Sequence, residues 1–289
     1  MNKIIRQCEE LKDKTIGIIG LGHLGTSLAL PLADGCFGRE RLLISCRGSE
    51  RTLAKARKLG LESCLTDTQS LMSRSDIIFV ACRPQDLLTL PGAAVKEGAL
   101  VVSCMAGLPQ TLLSNFFSGR VVRMMCSGPD SIADGLGIAV TYPRERRAEA
   151  AIRLMGIELF EVSSEEELDS FTVGICVPPI LLNVNRPDDE IRKALAAMQL
   201  RFPVYGRLAG WIGEVMAART SVESGACLEN VMTKGGISES MFRSMELGGG
   251  FAAALEQGLA RGREITAEIR RSVVITSVLQ SAEVEEKAG

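Results

Sequence analysis

The segment Thr15-Ile-Gly-Ile-Ile-Gly-Leu-Gly-His-Leu-Gly25 constrains this chain more than any other. A short apolar, β-rich run passes directly into glycines spaced G-x-G-x-x-G and then into a helical pattern. Each glycine has its own physical reason. Gly20 permits the tight turn, Gly22 lets backbone approach a diphosphate, and Gly25 lets the helix pack on the strand. Free N–H groups at the helix start, backed by the helix dipole, then hold the anion, with His23 and Leu24 in the same turn. The spacing alone is a weak signal, and its place between a strand and a helix is what gives it meaning. Residues 15–33 hold no Asp, Glu, Lys or Arg over 19 positions, close to membrane-spanning length. Four glycines, a proline and a histidine within them favour strand, turn and helix instead.

The same alternation continues downstream. Strands are expected at Thr15–Ile19, Leu42–Cys46, Asp76–Ala81, Leu100–Ser103, Val121–Met125 and Gly137–Thr141, with a further apolar alternation at Ile157–Val162. Helix-length segments follow most of them, so the first half reads as a doubly wound parallel α/β sheet of Rossmann type. Beyond the acidic stretch Ser163–Asp169 the strand pattern stops and helical patterns take over. The expected division is a dinucleotide-binding domain over 1–164 and an all-helical substrate and dimerisation domain over 165–289.

The end of the second strand selects the nucleotide. Glu40 lies at the right distance from Gly20 for a ribose-binding acid but precedes the strand, at the wrong end of the sheet. At the strand tip stand Arg47, Ser49 and Arg51, donors suited to a 2′-phosphate. NADP(H) is expected over NAD(H), with NAD still possible.

Composition narrows the chemistry. The 289 residues contain one histidine, so any mechanism with a histidine base must use His23, which lies in the phosphate turn. A net charge of -2 and only nine Phe, two Tyr and one Trp argue against nucleic acid and anionic membranes as partners. Nine cysteines without a C-x-x-C pair read as reduced thiols of a cytoplasmic protein. The charged N-terminus, MNKIIRQCEELKDK, is not expected to be a signal peptide. Cys46, Cys82, Cys104 and Cys126 fall at strand ends facing the nucleotide crevice, where thiol reagents are expected to inhibit and NADP to protect. No metal site is expected from them, because metal ligation needs convergence on one point.

With these motifs placed, the chain resembles pyrroline-5-carboxylate reductases over nearly its whole length, as a divergent member. Asp76-Ile-Ile-Phe-Val-Ala-Cys-Arg-Pro-Gln-Asp-Leu87 is similar to the family's strand and Lys-Pro-Gln turn, with Arg83 for lysine. Val101-Val-Ser-Cys-Met-Ala-Gly107 resembles the Ser-x-x-Ala-Gly strand, and Val122 to Pro129 the Arg-x-Met-Pro-Asn-Thr-Pro segment. Thr233-Lys-Gly-Gly-Ile-Ser238 resembles Ser-Pro-Gly-Gly-x-Thr, and Gly249 through Glu264 the last family helix. Three departures are visible: Cys126-Ser-Gly128 for Pro-Asn-Thr, Gly174–Pro179 for Gly-Ser-Gly-Pro-Ala-Tyr, and Lys234 for proline.

The resemblance implies hydride transfer from NADP(H) to a cyclic imino acid, most simply 1-pyrroline-5-carboxylate to proline, in an interlocked homodimer or higher homo-oligomer. An iminium is already electrophilic, so the protein supplies position and electrostatics, and a chain without a catalytic histidine suffices. The glycine pair Gly235–Gly236 with Ile237 and Ser238 is the expected carboxylate site, Ser238 capping the next helix. Ser238 and Thr233 are the candidate catalytic hydroxyls, and Lys234 adds positive charge. Cys82, Arg83 and Pro84 are expected on the cofactor, with Ala106, Gly107 and Leu108 on its nicotinamide side. The rivals are a β-hydroxyacid-dehydrogenase-like oxidoreductase and a catalytically altered NADP-binding sensor or partner protein. Against the first, Gly174 to Asn185 contains no lysine.

Overall fold

The computed structural model describes residues 2–90, 95–219 and 234–288, with side chains described between 6 and 272 of these. Seven strands form one sheet: β1 Ile16–Ile19, β2 Leu42–Ser45, β3 Ile77–Val80, β4 Leu100–Ser103, β5 Arg120–Cys126, β6 Ile138–Tyr142 and β7 Glu158–Leu159. Their order is β2-β1-β3-β4-β5-β6-β7, parallel except where β6 runs against β5. The reversal departs from the expected all-parallel sheet and follows from the short β5–β6 link, residues 127–137, since a parallel return needs a longer crossover.

The helices of the first half are α1 Asn2–Glu10, α2 His23–Asp34, α3 Glu50–Lys58, α4 Thr68–Arg74, α5 Gln110–Phe116, α6 Pro129–Ala133 and α7 Arg146–Leu154. Those of the second are α8 Glu165–Gly174, α9 Val177–Leu181, α10 Asp188–Arg201, α11 Tyr205–Arg219, α12 Ile237–Glu246 and α13 Phe251–Ala288. Side chains leave the strands alternately, as a period of two requires. Ile16, Ile18, Ile77, Phe79, Leu100 and Val102 pack with α2 and α7, while Ile78, Val80 and Val101 pack with Leu71 and Leu113 on the other face. With both faces covered, the central strands are buried at every position. A third core joins Met125, Ile138 and Val140 of the sheet to Phe171, Leu208 and Phe251 of the helices.

Ser164 caps α8 by accepting from the Glu167 N–H at 3.1 Å, and the buried Glu167 carboxylate takes the N–H groups of Ser163 and Val204 in return. The acidic stretch is therefore a helix start pinned to the next helical pair. Arg123 of β5, 1% exposed, ties sheet to helices through Glu165 and Asp169 of α8, each at 2.7 Å.

One expectation fails at the thiols. Cys8 of α1 and Cys36, just past α2, form a disulfide across a Cα separation of 6.5 Å, because α1 packs on α7 and brings Cys8 to the loop after α2. Cys46, Cys64, Cys82, Cys104, Cys126 and Cys176 are free, and Cys227 lies outside the described residues. No helix among the described residues is long and apolar enough to cross a membrane.

Candidate active site

At the C-terminal ends of the parallel strands a cleft of about 1080 Å³ opens between the sheet and the second-half helices. Open α/β sheets bind ligands at this edge.

The sheet wall begins at the glycine turn. Gly20 has φ +102°, a conformation that L side chains rarely adopt, and donates its N–H to Ser45 O of β2 at 2.8 Å. A Cβ on Gly25 would stand 1.8 Å from Gly20 O, so α2 can approach the turn only through glycine. Gly22 caps α2 without any side-chain bond, and a Cβ there would meet nothing within 4 Å. Gly22, His23 and Leu24 line the cleft, joined by Lys55 of α3, which donates to Gly22 O at 3.4 Å. Burial and the neighbouring Arg51 hold the Lys55 ammonium below its ordinary pKa. These residues make a cradle of backbone N–H groups and one cation, which fits the diphosphate of a dinucleotide.

The donors expected around a 2′-phosphate lie beside the cleft rather than in its wall. Ser49 caps α3 through the Thr52 N–H, and Arg47 pairs with Asp86 at 2.6 Å. Arg83 reaches the same carboxylate at 3.9 Å. An acid thus does stand at the tip of β2, brought from the short helix Pro84–Thr89 after β3.

Further along the wall come Cys82, Arg83, Pro84, Cys104 and Ala106. Gly107 has φ +76° and sits under α13, where a Cβ would meet Ile265 at 2.8 Å. Leu108 departs from its expected place: it is fully buried in the core below the cleft. Burial raises Cys82 to about 11 and Cys126 to about 12, and pushes Cys104 well above an ordinary thiol. No three Cys, His, Asp or Glu side chains among the described residues could hold a metal.

The helical wall carries the glycine pair. Lys234, Gly235, Gly236, Ile237 and Ser238 all line the cleft; Thr233 lies outside the described residues. Gly235 takes φ +72°, and Gly236, not Ser238, is the cap of α12. Ser238 is the second residue inside that helix, because the chain turns two residues earlier than a serine cap would require. It is 8% exposed and faces Cys176, whose Sγ donates to Thr172 O at 3.2 Å and whose pKa burial raises to about 11. Glu239 accepts the Gly235 N–H, which, with Arg243, holds its carboxyl below the ordinary value.

Several cleft residues carry no signal in the motifs. Arg261 of α13 donates Nε to Gly235 O at 2.8 Å and its other nitrogens to Glu264 and Glu268, fastening the turn to the long helix. Trp211 lines the cleft and anchors to Leu136 O at 2.8 Å, and Arg219 lines it while pairing with Asp134. Only tertiary packing brings them here; the i, i+4 spacing of Arg51 and Lys55 was the one available sequence signal. Among the described residues, Lys55, Arg83, Arg219, Lys234 and Arg261 face two carboxylates, Asp130 and Glu268, so this lining is cationic in a chain of net charge -2.

Comparison with known proteins agrees with this geometry. Residues 15–107 match the family described as NADP oxidoreductase coenzyme F420-dependent. A curated relative, D-3-phosphoglycerate dehydrogenase 1 of Saccharomyces cerevisiae, is 27% identical over 146 residues, 46% of this chain and 29% of the relative. Pyrroline-5-carboxylate reductase of Aquifex aeolicus is 24% identical over 168 residues, 54% of this chain and 60% of the relative. The chain therefore spans less than two thirds of the length of either relative. Among solved structures, pyrroline-5-carboxylate reductase from Coxiella burnetii superposes with TM-score 0.53 at 19% identity, covering 88% of this chain and 98% of that one. The Plasmodium falciparum enzyme with NADP bound gives TM-score 0.53 at 16% identity, over 88% and 98%. The likeness to pyrroline-5-carboxylate reductases read from the motifs thus extends to the fold of both halves, and the nucleotide half matches an NADP-oxidoreductase family.

Proposed function

We propose that the chain is an NADP(H)-dependent reductase that adds hydride to the C=N bond of a cyclic imino acid, 1-pyrroline-5-carboxylate to proline being the simplest case. The observation that carries this reading is a single cationic cleft, with a dinucleotide cradle on one wall and an anion-binding helix start on the other. When bound, NADPH supplies the hydride. The protein's part is placement. Gly22 and the first turn of α2 hold the diphosphate, and Ala106 bounds the nicotinamide side. The free N–H groups of α12 and the Ser238 hydroxyl hold the substrate carboxylate, and the same hydroxyl orients the imine nitrogen. Hydride addition to a protonated imine leaves a neutral amine, so no protein base is consumed, in keeping with a cleft whose one histidine sits at the phosphates. NADP is favoured by Arg47, Arg51 and Lys55 at the end of β2. The long helix α13 fits a homodimer, and the division at residue 164 separates nucleotide from substrate binding.

The test is NADPH oxidation against a panel of cyclic imino acids and 3-hydroxyacids. Turnover of the imines with Ser238→Ala depressed about tenfold or more supports the reading. Turnover of hydroxyacids alone returns the dehydrogenase alternative, and tight NADPH binding without turnover returns the sensor.

A further inference from the structure

We propose that the substrate is a dicarboxylated imine, with one carboxylate on the start of α12 and the second on the Lys234 ammonium. The inference rests on the imine-reductase reading and narrows its substrate class. Its basis is an exposed cation that has only the more distant charge of Glu239 beside it and no ion pair within 4 Å among the described residues, next to an anion-binding turn.

The acidic groups around that turn are already committed. Glu239 holds the Gly235 N–H and Arg243, while Glu264 and Glu268 both hold Arg261. Arg261 in turn spends its Nε on Gly235 O. Lys234 forms no ion pair within 4 Å among the described residues, is exposed, and lines the cleft. It therefore differs from the other cations of the helical wall, since Arg219 has Asp134 and Arg261 has its two glutamates.

Position along α13 places this charge near the reacting end. Arg261 touches the turn at Gly235, and Ile265 touches Gly107 beside Ala106. Four residues of helix span about 6 Å. A small ring lying between Ala106 and Ser238 thus has Lys234 within a side chain's reach. One carboxylate saturates the backbone N–H groups and the Ser238 hydroxyl. A second gives the ammonium a charge-assisted partner that no side chain among the described residues provides within 4 Å.

The experiment measures initial rates of NADPH oxidation by the full chain with two cyclic imines that differ only in bearing one carboxylate or two. Wild type is expected to favour the dicarboxylate in kcat/KM by on the order of tenfold. In Lys234→Ala the preference collapses through KM, and in Lys234→Glu it inverts. Equal kcat/KM for the two imines in wild type, or a preference that survives Lys234→Ala, overturns the proposal. If neither imine is reduced, the imine-reductase reading fails by itself. Calorimetric titration of the NADP-loaded protein with pyrrolidine-2-carboxylate and pyrrolidine-2,5-dicarboxylate then decides. Tighter binding of the dicarboxylate that Lys234→Ala abolishes supports the second carboxylate site, and equal binding removes it.

Discussion

Gly25, buried behind one wall of the cleft, and Gly235, on the opposite wall, are glycines for different reasons. At Gly25 the backbone of the turn itself stands in the way, with Gly20 O 1.8 Å from where a Cβ would be. At Gly235 the constraint is conformational, φ +72°, and the nearest obstacle is an Arg261 nitrogen at 3.9 Å. The sheet wall is thus shaped by backbone that only one residue type permits. The helical wall is shaped by side chains, Ser238, Lys234 and Arg261, around a turn with room to spare. A backbone-built site suits a common ligand such as a dinucleotide; a side-chain-built site can change its ligand by substitution.

The sharpest way to break this contrast lies within the sheet wall. Gly25→Ala must push α2 off the turn, and overpacking of this kind costs about 1–3 kcal/mol or more. NADPH binding is expected to fall at least about 100-fold, together with thermal stability. Gly22→Ala meets nothing within 4 Å and has φ -73°, so the fold should be kept. Its methyl occupies the diphosphate's approach, and affinity alone should fall, by about tenfold. Fluorescence titration alongside thermal melts separates the two. Equal loss of stability in both variants would mean that close packing is not what Gly25 provides.

Arg123 sets the two walls in register. Besides pairing with Arg123, Glu165 accepts the Gln110 N–H at 2.7 Å, three residues beyond Gly107, so one carboxylate fixes both the α8 start and the loop that leaves β4 below the cleft. Arg123 Nε is buried without a hydrogen-bond partner among the described residues, so the cluster already carries a desolvation cost. Arg123→Met leaves two carboxylates unpaired, and about 3 kcal/mol of stability should be lost at neutral pH, the low end for such pairs because Asp169 is half-exposed. Burial pushes the Asp169 carboxyl up despite Arg123, and removing the arginine pushes it further. A raised folded-state carboxyl costs stability above its pKa and not below, so the deficit should shrink as pH falls through the carboxylate range. Urea midpoints from neutral to mildly acid pH check this, and a pH-independent deficit would dissociate it from charge.

How much of this was legible in the sequence follows from the same contrast. The turn at Gly20–Gly25, all seven strand positions and the helical second half are visible, because steric necessity and hydrophobic period leave residue-level marks. The reversed β6, the disulfide between Cys8 and Cys36, the Gly236 cap and the cleft residues Trp211, Arg219 and Arg261 are not. Each depends on which segments meet in space, and no local pattern encodes that meeting. Asp86 shows the limit most clearly. The spacing from Gly20 points to an acid near β2 in sequence, whereas the carboxylate beside Arg47 comes from beyond β3.

That carboxylate yields a smaller prediction. While Asp86 holds Arg47 and faces Arg83, a 2′-phosphate must compete with it for both guanidiniums. Asp86→Asn should tighten NADPH several-fold, consistent with roughly 1 kcal/mol for a pair whose arginine is mostly exposed, and leave NADH little changed. Unchanged affinity for both would place the 2′-phosphate elsewhere and weaken the preference for NADP.

The smallest effect concerns the thiols of the sheet wall. Their position at the cofactor edge suggests ready inactivation by alkylating reagents with protection by NADP. Their surroundings oppose it: burial raises Cys82 to about 11 and Cys126 to about 12, with Asp86 adding to the first. Alkylation proceeds through the thiolate, and at neutral pH a thiol at about 11 is ionised only to about one part in ten thousand, and one at about 12 to about a tenth of that. Inactivation by iodoacetamide should therefore be slow near pH 7 and accelerate about tenfold per pH unit toward pH 10. NADPH should protect Cys82 and Cys104, which line the cleft, and peptide mapping after partial modification would show it. Fast, pH-independent loss of activity would mean that a different thiol is hit, outside the wall that the glycine turn builds.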